Sequence, residues 1–166
     1  NALAQEYPDL KIFTVSPGAV KTEMWDFEEG VEPKIIADYI IKAVHGEVPL
    51  KDGDLLKIDV GVSYKNRLTD AAITVGVGKI PREAKRLKKC ALEALKRAMK
   101  ACKPRGRVGD ISWAVEQTVK KYGYAVAEKL SGHGVGFEVH EPPTIHNYGE
   151  KGAGEELVPG MVIAIE

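Results

Sequence analysis

Residues 56–64 read Leu-Lys-Ile-Asp-Val-Gly-Val-Ser-Tyr, and this stretch decides the fold prediction. Apolar side chains alternate with polar or small ones, which is typical of a β-strand with one buried face. A second β-rich run, from about Thr69 to Val77, follows the polar loop 65–67. Because the connection is short and the two runs have similar lengths, they predict an antiparallel hairpin.

Two amphipathic helices are predicted after this hairpin. Pro81 begins the first, which extends to about Lys103 and repeats apolar residues at helical spacing along one side. Its other side is rich in lysine and arginine. We interpret that side as a solvated helix face, because no aromatic residues interleave with the charges. Asp110 is predicted to cap the second helix, which ends near Tyr122.

The composition is that of a soluble globular chain. Of 166 residues, 44% are apolar and 29% are charged, and no apolar run approaches the roughly 20 residues that a membrane helix needs. Lys and Arg (24) balance Asp and Glu (24), so the net charge favours neither nucleic acid nor an anionic membrane as a partner. Cys90 and Cys102 are too far apart along one helix for a disulfide, and no secretory signal is recognisable. We therefore expect a cytoplasmic protein with reduced thiols.

Two aspartates on the predicted hairpin are candidate metal ligands. Asp59 interrupts an apolar strand, and Asp70 lies near the start of the partner strand. If the turn is centred near residues 64–65, the two side chains stand roughly opposite each other, and like charges in that arrangement are destabilising. A divalent cation between them would remove the repulsion, because carboxylate oxygens suit such ions. The alternative is that both are ordinary solvated aspartates.

The glycine-rich C-terminal part adds two histidines and a glutamate. His133 lies between glycines in Ser-Gly-His-Gly-Val-Gly (131–136), where the backbone can come close to a ligand. His140 follows seven residues later, so both imidazoles can face one site. Glu166 closes the apolar run 161–165, where a carboxylate is costly to bury unless it is paired or metal-bound; the alternative is a frayed terminal residue. This donor set favours Mn, Fe, Co or Zn over calcium, and two metals that share carboxylates over one.

Five short motifs carry these residues in a characteristic order and spacing. They are Asp-Val-Gly at Asp59, Thr-Asp at Asp70, Gly-His-Gly-Val-Gly at His133, Val-His-Glu-Pro-Pro at His140 and Gly-Met-Val-Ile-Ala-Ile-Glu at Glu166. Over about residues 50–166 the chain thereby resembles the methionine aminopeptidases, in particular the bacterial type I branch of these pita-bread metallopeptidases. The resemblance implies an α/β fold in which helices back a strongly curved antiparallel sheet, with the second half of the fold truncated.

The resemblance also implies roles for individual residues. Four metal ligands for two divalent ions are implied, namely Asp59, Asp70, His133 and Glu166. Asp70 would bridge the ions together with a later glutamate, the family's fifth ligand, which lies on a strand beyond Glu166. His140 would contact the substrate and stabilise the tetrahedral intermediate. His45 is a candidate for a further active-site histidine, although it lies only fourteen residues before Asp59.

The N-terminal segment resembles a different family. Residues 16–24, Ser-Pro-Gly-Ala-Val-Lys-Thr-Glu-Met, are similar to a late segment of short-chain dehydrogenases. A short strand over residues 11–15 and a helix over residues 33–46 are predicted here, as in an α/β fragment of Rossmann-type origin. The dinucleotide-binding loop and the catalytic Tyr-x-x-x-Lys pair of those enzymes are absent from this segment. The sequence therefore predicts two joined parts, a fragment without its own function (1–48) and a metallopeptidase domain (49–166). A natural chimera, an engineered fusion and a misjoined gene model would each explain the join.

Three functional hypotheses follow. The first is metal-dependent removal of the N-terminal methionine from peptides and nascent proteins. The second is a catalytically dead fragment of the same fold. The third is Xaa-Pro aminopeptidase or prolidase specificity, which is disfavoured because those enzymes usually carry a further histidine just before Gly-His-Gly, where this chain has Ala-Glu-Lys-Leu (127–130). A truncated sheet would leave open edges, so self-association is also predicted.

Overall fold

The computed structural model describes residues 12–15, 19–20 and 50–166. The described elements are β1 (Ile12–Val15), β2 (Ala19–Val20), β3 (Leu55–Tyr64), β4 (Arg67–Gly76), α1 (Arg82–Ala101), α2 (Val108–Lys121), β5 (Ser131–Gly134), β6 (Glu141–His146) and β7 (Ile163–Ala164). The helix predicted over 33–46 and the candidate His45 lie outside the described residues. Among the helices that the structure describes, none is long and apolar enough to cross a membrane.

β3 and β4 form the predicted antiparallel hairpin and pair along all ten residues of each strand. The turn consists of Lys65 and Asn66, whose φ angles of 47° and 59° are both positive. Two such residues make a type I′ turn, whose twist matches that of the flanking strands. The turn therefore lies one residue later than the sequence analysis placed it, and β4 begins at Arg67.

This shift changes the pairing of the two aspartates. Asp59 lies opposite Ala72, and Asp70 lies opposite Gly61. The prediction that the aspartates stand opposite each other was wrong, because the turn centre determines every pair of the ladder. The two residues still share one face of the hairpin, at diagonal positions that are separated by roughly 7–8 Å in such ladders.

β1 and β2 pair in parallel with the other edge of β3. Ile12 lies opposite Leu55, and Ala19 lies opposite Gly61. The strand predicted over residues 11–15 is therefore present as β1, and β3 is the central strand of a mixed sheet.

The two predicted helices are present, with small corrections. The apolar side predicted for α1 includes Ala94, Leu95 and Ala98. Ala94 and Ala98 are buried there, together with Ala84 and Cys90, whereas Leu95 is 37% exposed. α2 begins at Val108, and its N-cap is Arg107, three residues before the predicted cap Asp110. Asp110 caps the helix from its third position, where Oδ2 accepts a hydrogen bond from the Arg107 backbone N–H at 2.9 Å. A carboxylate in the first turn also interacts favourably with the helix dipole.

The second sheet has the strand order β6–β5–β7, with antiparallel pairing throughout. Its back packs on α1 and α2 through a core that includes Ile111, Ile145 and Leu157, and Ile163 and Ile165 pack against that core. Because side chains alternate along a strand, Ala164 and Glu166 are directed to the opposite side. We call that opposite side, which carries His133 and Thr144, the site face.

Candidate metal centre

Three predicted ligands converge on the site face. Nε2 of His133 lies 3.5 Å from Oδ2 of Asp70 and 3.3 Å from Oε1 of Glu166. Asp70, His133 and Glu166 each offer one ligand atom, and these atoms lie within 4.8 Å of one another. Asp70 comes from the hairpin, whereas His133 and Glu166 come from the three-stranded sheet, so the cluster joins the two sheets.

The hydrogen bonding of His133 directs a lone pair at the two carboxylates. Its Nδ1 lies 2.9 Å from the carbonyl oxygen of Gly134. A carbonyl can only accept, so Nδ1 carries the proton, and in the neutral ring Nε2 is then an acceptor. Nε2 is buried and has no hydrogen-bond partner among the described residues, and the whole residue is only 7% exposed.

This arrangement fits a cation. An unpaired buried nitrogen that faces two carboxylate oxygens is unfavourable, because all three groups present electron density to the same point. A divalent ion would satisfy all three at once, and a histidine whose other nitrogen donates to a backbone carbonyl is the usual form of a metal-binding imidazole. One nitrogen and two carboxylates suit Zn, Mn, Fe or Co.

Glycines allow the strands to come this close. A Cβ atom on Gly132 would lie 2.4 Å from the carbonyl oxygen of Ala164, and one on Gly134 would lie 2.2 Å from that of Pro142. Both contacts are with backbone, which cannot move aside without separating the strands. The glycines on either side of His133 therefore allow β5 to pack closely between β6 and β7. The predicted close approach of this backbone to a ligand stays a prediction.

Asp59 lies outside this cluster. Its Oδ2 is 3.0 Å from Nζ of Lys57, and the two side chains are 34% (Lys57) and 25% (Asp59) exposed. Lys57 and Asp59 are two residues apart on β3, so both project from the hairpin face that carries Asp70. Lys57 is not one of the predicted site residues, although the strand period of two places it beside Asp59.

His140 lies next to the cluster on the loop between β5 and β6. The centroids of its ring and the His133 ring are 4.4 Å apart in an edge-to-face arrangement. His140, His133 and Glu166 line an open cavity of about 640 Å³, and Leu130 and Thr144 also contribute to its wall. The cavity gives a ligand direct access to His133 and Glu166 of the cluster.

The loop that carries His140 is fixed at several points. Oε1 of Glu141 accepts hydrogen bonds from the backbone N–H groups of Phe137 and Glu138. On the hairpin side, the Leu68 N–H donates to the Gly136 carbonyl at 2.6 Å. The Arg67 guanidinium lies 3.6 Å from the centre of the Phe137 ring, a cation–π contact. These links could not be predicted from the sequence, because they depend on how the two sheets meet.

Comparison with known proteins identifies the class. The chain belongs to metallopeptidase family M24, whose family model matches residues 12–166. The match includes β1 and β2, which lie in the segment predicted to be a separate fragment; the division at residue 48 and a dehydrogenase origin remain predictions. The resemblance of residues 50–166 to methionine aminopeptidases is confirmed by the relatives below.

Those relatives are methionine aminopeptidases. The chain is 38% identical over 131 residues to the enzyme of Clostridium perfringens, covering 79% of this chain and 53% of the relative. It is 41% identical over 132 residues to the enzyme of Aquifex aeolicus, covering 75% and 51%. The chain thus spans about half the length of the curated relatives it matches.

Solved structures share the fold. The crystal structure of methionine aminopeptidase from Thermotoga maritima superimposes with a TM-score of 0.68 at 42% identity, over 70% of this chain and 47% of that one. The prolidase of Pyrococcus furiosus gives a TM-score of 0.62 at 37% identity, over 70% and 34%. The predicted pita-bread α/β fold is therefore confirmed for the matched part of the chain, and the family is that of metal-dependent peptidases.

Proposed function

We propose that the chain is the metal-binding part of a methionine aminopeptidase, which removes the N-terminal methionine from peptides and nascent proteins. The observation that carries the proposal is the cluster of Asp70, His133 and Glu166 around the unpaired Nε2 of His133. The similarity to methionine aminopeptidases supports the substrate class. Nascent-protein substrates would in turn imply a cytoplasmic location.

The residues divide into two ligand groups. Asp70, His133 and Glu166 would hold one divalent ion, and Asp59 together with Asp70 would hold a second. When bound, divalent ions supply a nucleophilic water near neutral pH and polarise the scissile carbonyl. Burial and the hydrogen bond to Gly134 fix the orientation of the His133 imidazole, one member of the first ligand group, before any ion binds.

His140 would act on the substrate rather than on the ions. It lines the cavity beside the cluster, and its loop is held by Glu141 on one side and by the hairpin on the other. A neutral or charged imidazole at that position can donate a hydrogen bond to the oxygen on which charge develops during peptide hydrolysis. Preorganisation of the loop means that little reordering is needed at that step.

Methionine specificity is preferred over Xaa-Pro specificity. Lys129 and Leu130 occupy the cavity wall at the place where Xaa-Pro enzymes usually carry a further histidine. The structural similarity to methionine aminopeptidase from Thermotoga maritima also exceeds that to the prolidase, in both TM-score and identity. A catalytically dead fragment is the remaining alternative, and an activity assay distinguishes it from an active methionine aminopeptidase.

The first test measures metal binding and turnover together. Mn²⁺ or Co²⁺ should stabilise the wild-type chain against urea, by about 2.7 kcal/mol at a free-ion concentration of 100 times Kd. Asp70→Asn should remove most of that gain, because it replaces a charged ligand with a neutral one. Leu92→Ala, at an exposed position on α1, is a matched control and should keep the gain.

Activity is then followed with Met-Gly-Ser and Gly-Pro peptides before and after chelation. Chelator-sensitive release of methionine that Asp70→Asn abolishes supports the proposal. Turnover that persists in Asp70→Asn would contradict it. Cleavage of Gly-Pro alone would favour the Xaa-Pro alternative, and metal binding without turnover would favour the dead fragment.

A further inference from the structure

Lys57 provides an internal counter-ion at the edge of the candidate metal centre. Its Nζ lies 3.0 Å from Oδ2 of Asp59. Asp59 is the one predicted ligand among the described residues that is absent from the Asp70, His133 and Glu166 cluster. The ammonium group therefore lies at the carboxylate that a second divalent ion would need.

We propose that Lys57 regulates metal loading by occupying Asp59, so that two divalent ions bind in unequal steps. The first step uses Asp70, His133 and Glu166. The second step requires Asp59 and therefore displacement of the Lys57 ammonium group. This inference rests on the proposed function, because it takes Asp59 as a ligand of the second ion.

Geometry and charge support the competition. Lys57 and Asp59 project from the same face of β3, and Lys57 lies opposite Thr74, which offers no carboxylate as another partner. The ammonium group and a divalent ion repel each other when both approach Asp59, since Coulomb energy rises as the separation falls. The contacts between charged or ligand groups that the structure describes for Asp70 and Glu166 are with Nε2 of His133, which is itself a ligand of the first ion, so the first step does not require displacement of an ammonium group.

The expected effect is modest because the pair is partly exposed. Exposed or half-exposed ion pairs are worth little in water, equivalent to no more than about a fivefold change in an equilibrium constant. Removal of the lysine also removes the repulsion between the two cations. Together these contributions should raise the affinity for the second ion by about two- to tenfold.

The experiment is a calorimetric titration of the full chain with Mn²⁺ alone. It compares the wild type with Lys57→Met, which keeps the length of the side chain without its charge, and with Lys57→Arg, which keeps the charge. We expect two unequal steps in the wild type. Lys57→Met should strengthen the weaker step about two- to tenfold and leave the tighter step unchanged, whereas Lys57→Arg should resemble the wild type.

The Asp59→Ala background provides the control. There the weaker step should disappear, and Lys57→Met should then have no effect on Mn²⁺ binding. A weaker step that Lys57→Met leaves unchanged, or the absence of a second step in both proteins, would overturn this inference. A tight step that Asp70→Asn abolishes would still support the proposed function in that case, so the two failures are distinguishable. Circular dichroism of each variant checks that the fold is retained.

Discussion

The two regions that supply the candidate ligands are held in place in different ways. The region of β5, β6 and β7 is backed by α1 and α2, with Ile111 0% and Ile145 2% exposed in the core between them. In the hairpin, three consecutive residues of β4, from Ala71 to Ile73, are exposed, and the exposed fraction of Ile73 is 59%. The core cluster contains no residue of β3 or β4 among those the structure describes. The buried apolar residues described for the hairpin are Leu55 and Leu56 at the start of β3, which are 3% and 6% exposed.

This difference divides the candidate metal centre. His133 and Glu166 are positioned by the packing of a helix-backed sheet, whereas Asp59 and Asp70 are positioned by the register of the hairpin. The described links from the hairpin to the loop that carries His140, between β5 and β6, include the Leu68 to Gly136 hydrogen bond and the Arg67 to Phe137 contact. An ion held by Asp70 and His133 would add a further connection between the regions, so metal binding and the docking of the hairpin should be coupled.

The prediction with the largest expected effect concerns the stability of β5, β6 and β7 with α1 and α2, which we call the helix-backed region. Ile111→Ala should lower the free energy of unfolding by about 2–5 kcal/mol, because it leaves a cavity in a fully buried site. Ile73→Ala, the same kind of truncation at an exposed hairpin position, should change it by about 0.5 kcal/mol or less. Urea denaturation of both variants measures the two values. If both variants lost similar amounts of unfolding free energy, the hairpin would belong to the same packed core, and the proposed difference between the two regions would be wrong.

A second prediction compares glycines in the two regions. Gly132→Ala should destabilise the fold by about 1–3 kcal/mol and weaken Mn²⁺ binding, because its Cβ would lie 2.4 Å from the Ala164 carbonyl oxygen. Gly61→Ala on the hairpin is the matched control, since the nearest atom to its Cβ among the described residues, the Thr69 carbonyl oxygen, is 3.7 Å away at ordinary contact distance. Thermal unfolding with and without Mn²⁺ gives both quantities. If both variants kept the same stability and the same Mn²⁺ binding, β5 could move away from β7 without weakening metal binding, and this prediction would be wrong.

The sequence predicted the local elements of both regions, because each depends on neighbouring residues. Alternation identified β3, and helical spacing together with Pro81 identified α1. The register of the hairpin was missed by one residue at the turn, since Lys65 and Asn66 both adopt positive φ without a glycine to signal it. The start of α2 was missed because Arg107 is not a typical N-cap residue.

The candidate site was predictable as a set of residues but not as a geometry. Motif resemblance indicated Asp59, Asp70, His133, His140 and Glu166. The structure clusters three of these, with His140 beside them, and pairs Asp59 with Lys57 instead. Tertiary packing determines which side chains of the two sheets meet and which partner a charged side chain contacts. The alternation of residues within one strand carries no information about that packing.

The prediction with the smallest expected effect concerns a hydrogen bond that also stabilises the helix-backed region. The Tyr122 hydroxyl donates a hydrogen bond to Glu93 Oε2 at 2.7 Å, which joins the end of α2 to α1. This hydrogen bond, followed by those from Arg97, lowers the pKa of the Glu93 carboxyl below its ordinary value of 4.5. A carboxyl with a lowered pKa in the folded state contributes stability above pH 4.5, and that contribution is lost as the pH falls through the lowered pKa.

Tyr122→Phe removes the largest cause of this shift. The wild type should therefore be slightly more stable than Tyr122→Phe at neutral pH, and the difference should shrink as the pH falls below 4.5. Urea unfolding of both proteins between about pH 7 and pH 3 measures it. In a Glu93→Gln background the same substitution should show no such dependence on acid, because the titrating carboxyl is absent. A difference in unfolding free energy between wild type and Tyr122→Phe that stayed constant from pH 7 to pH 3 would contradict this prediction. The Tyr122 side chain would then stabilise the helix-backed region through packing, and the ionised Glu93 carboxylate would make no contribution.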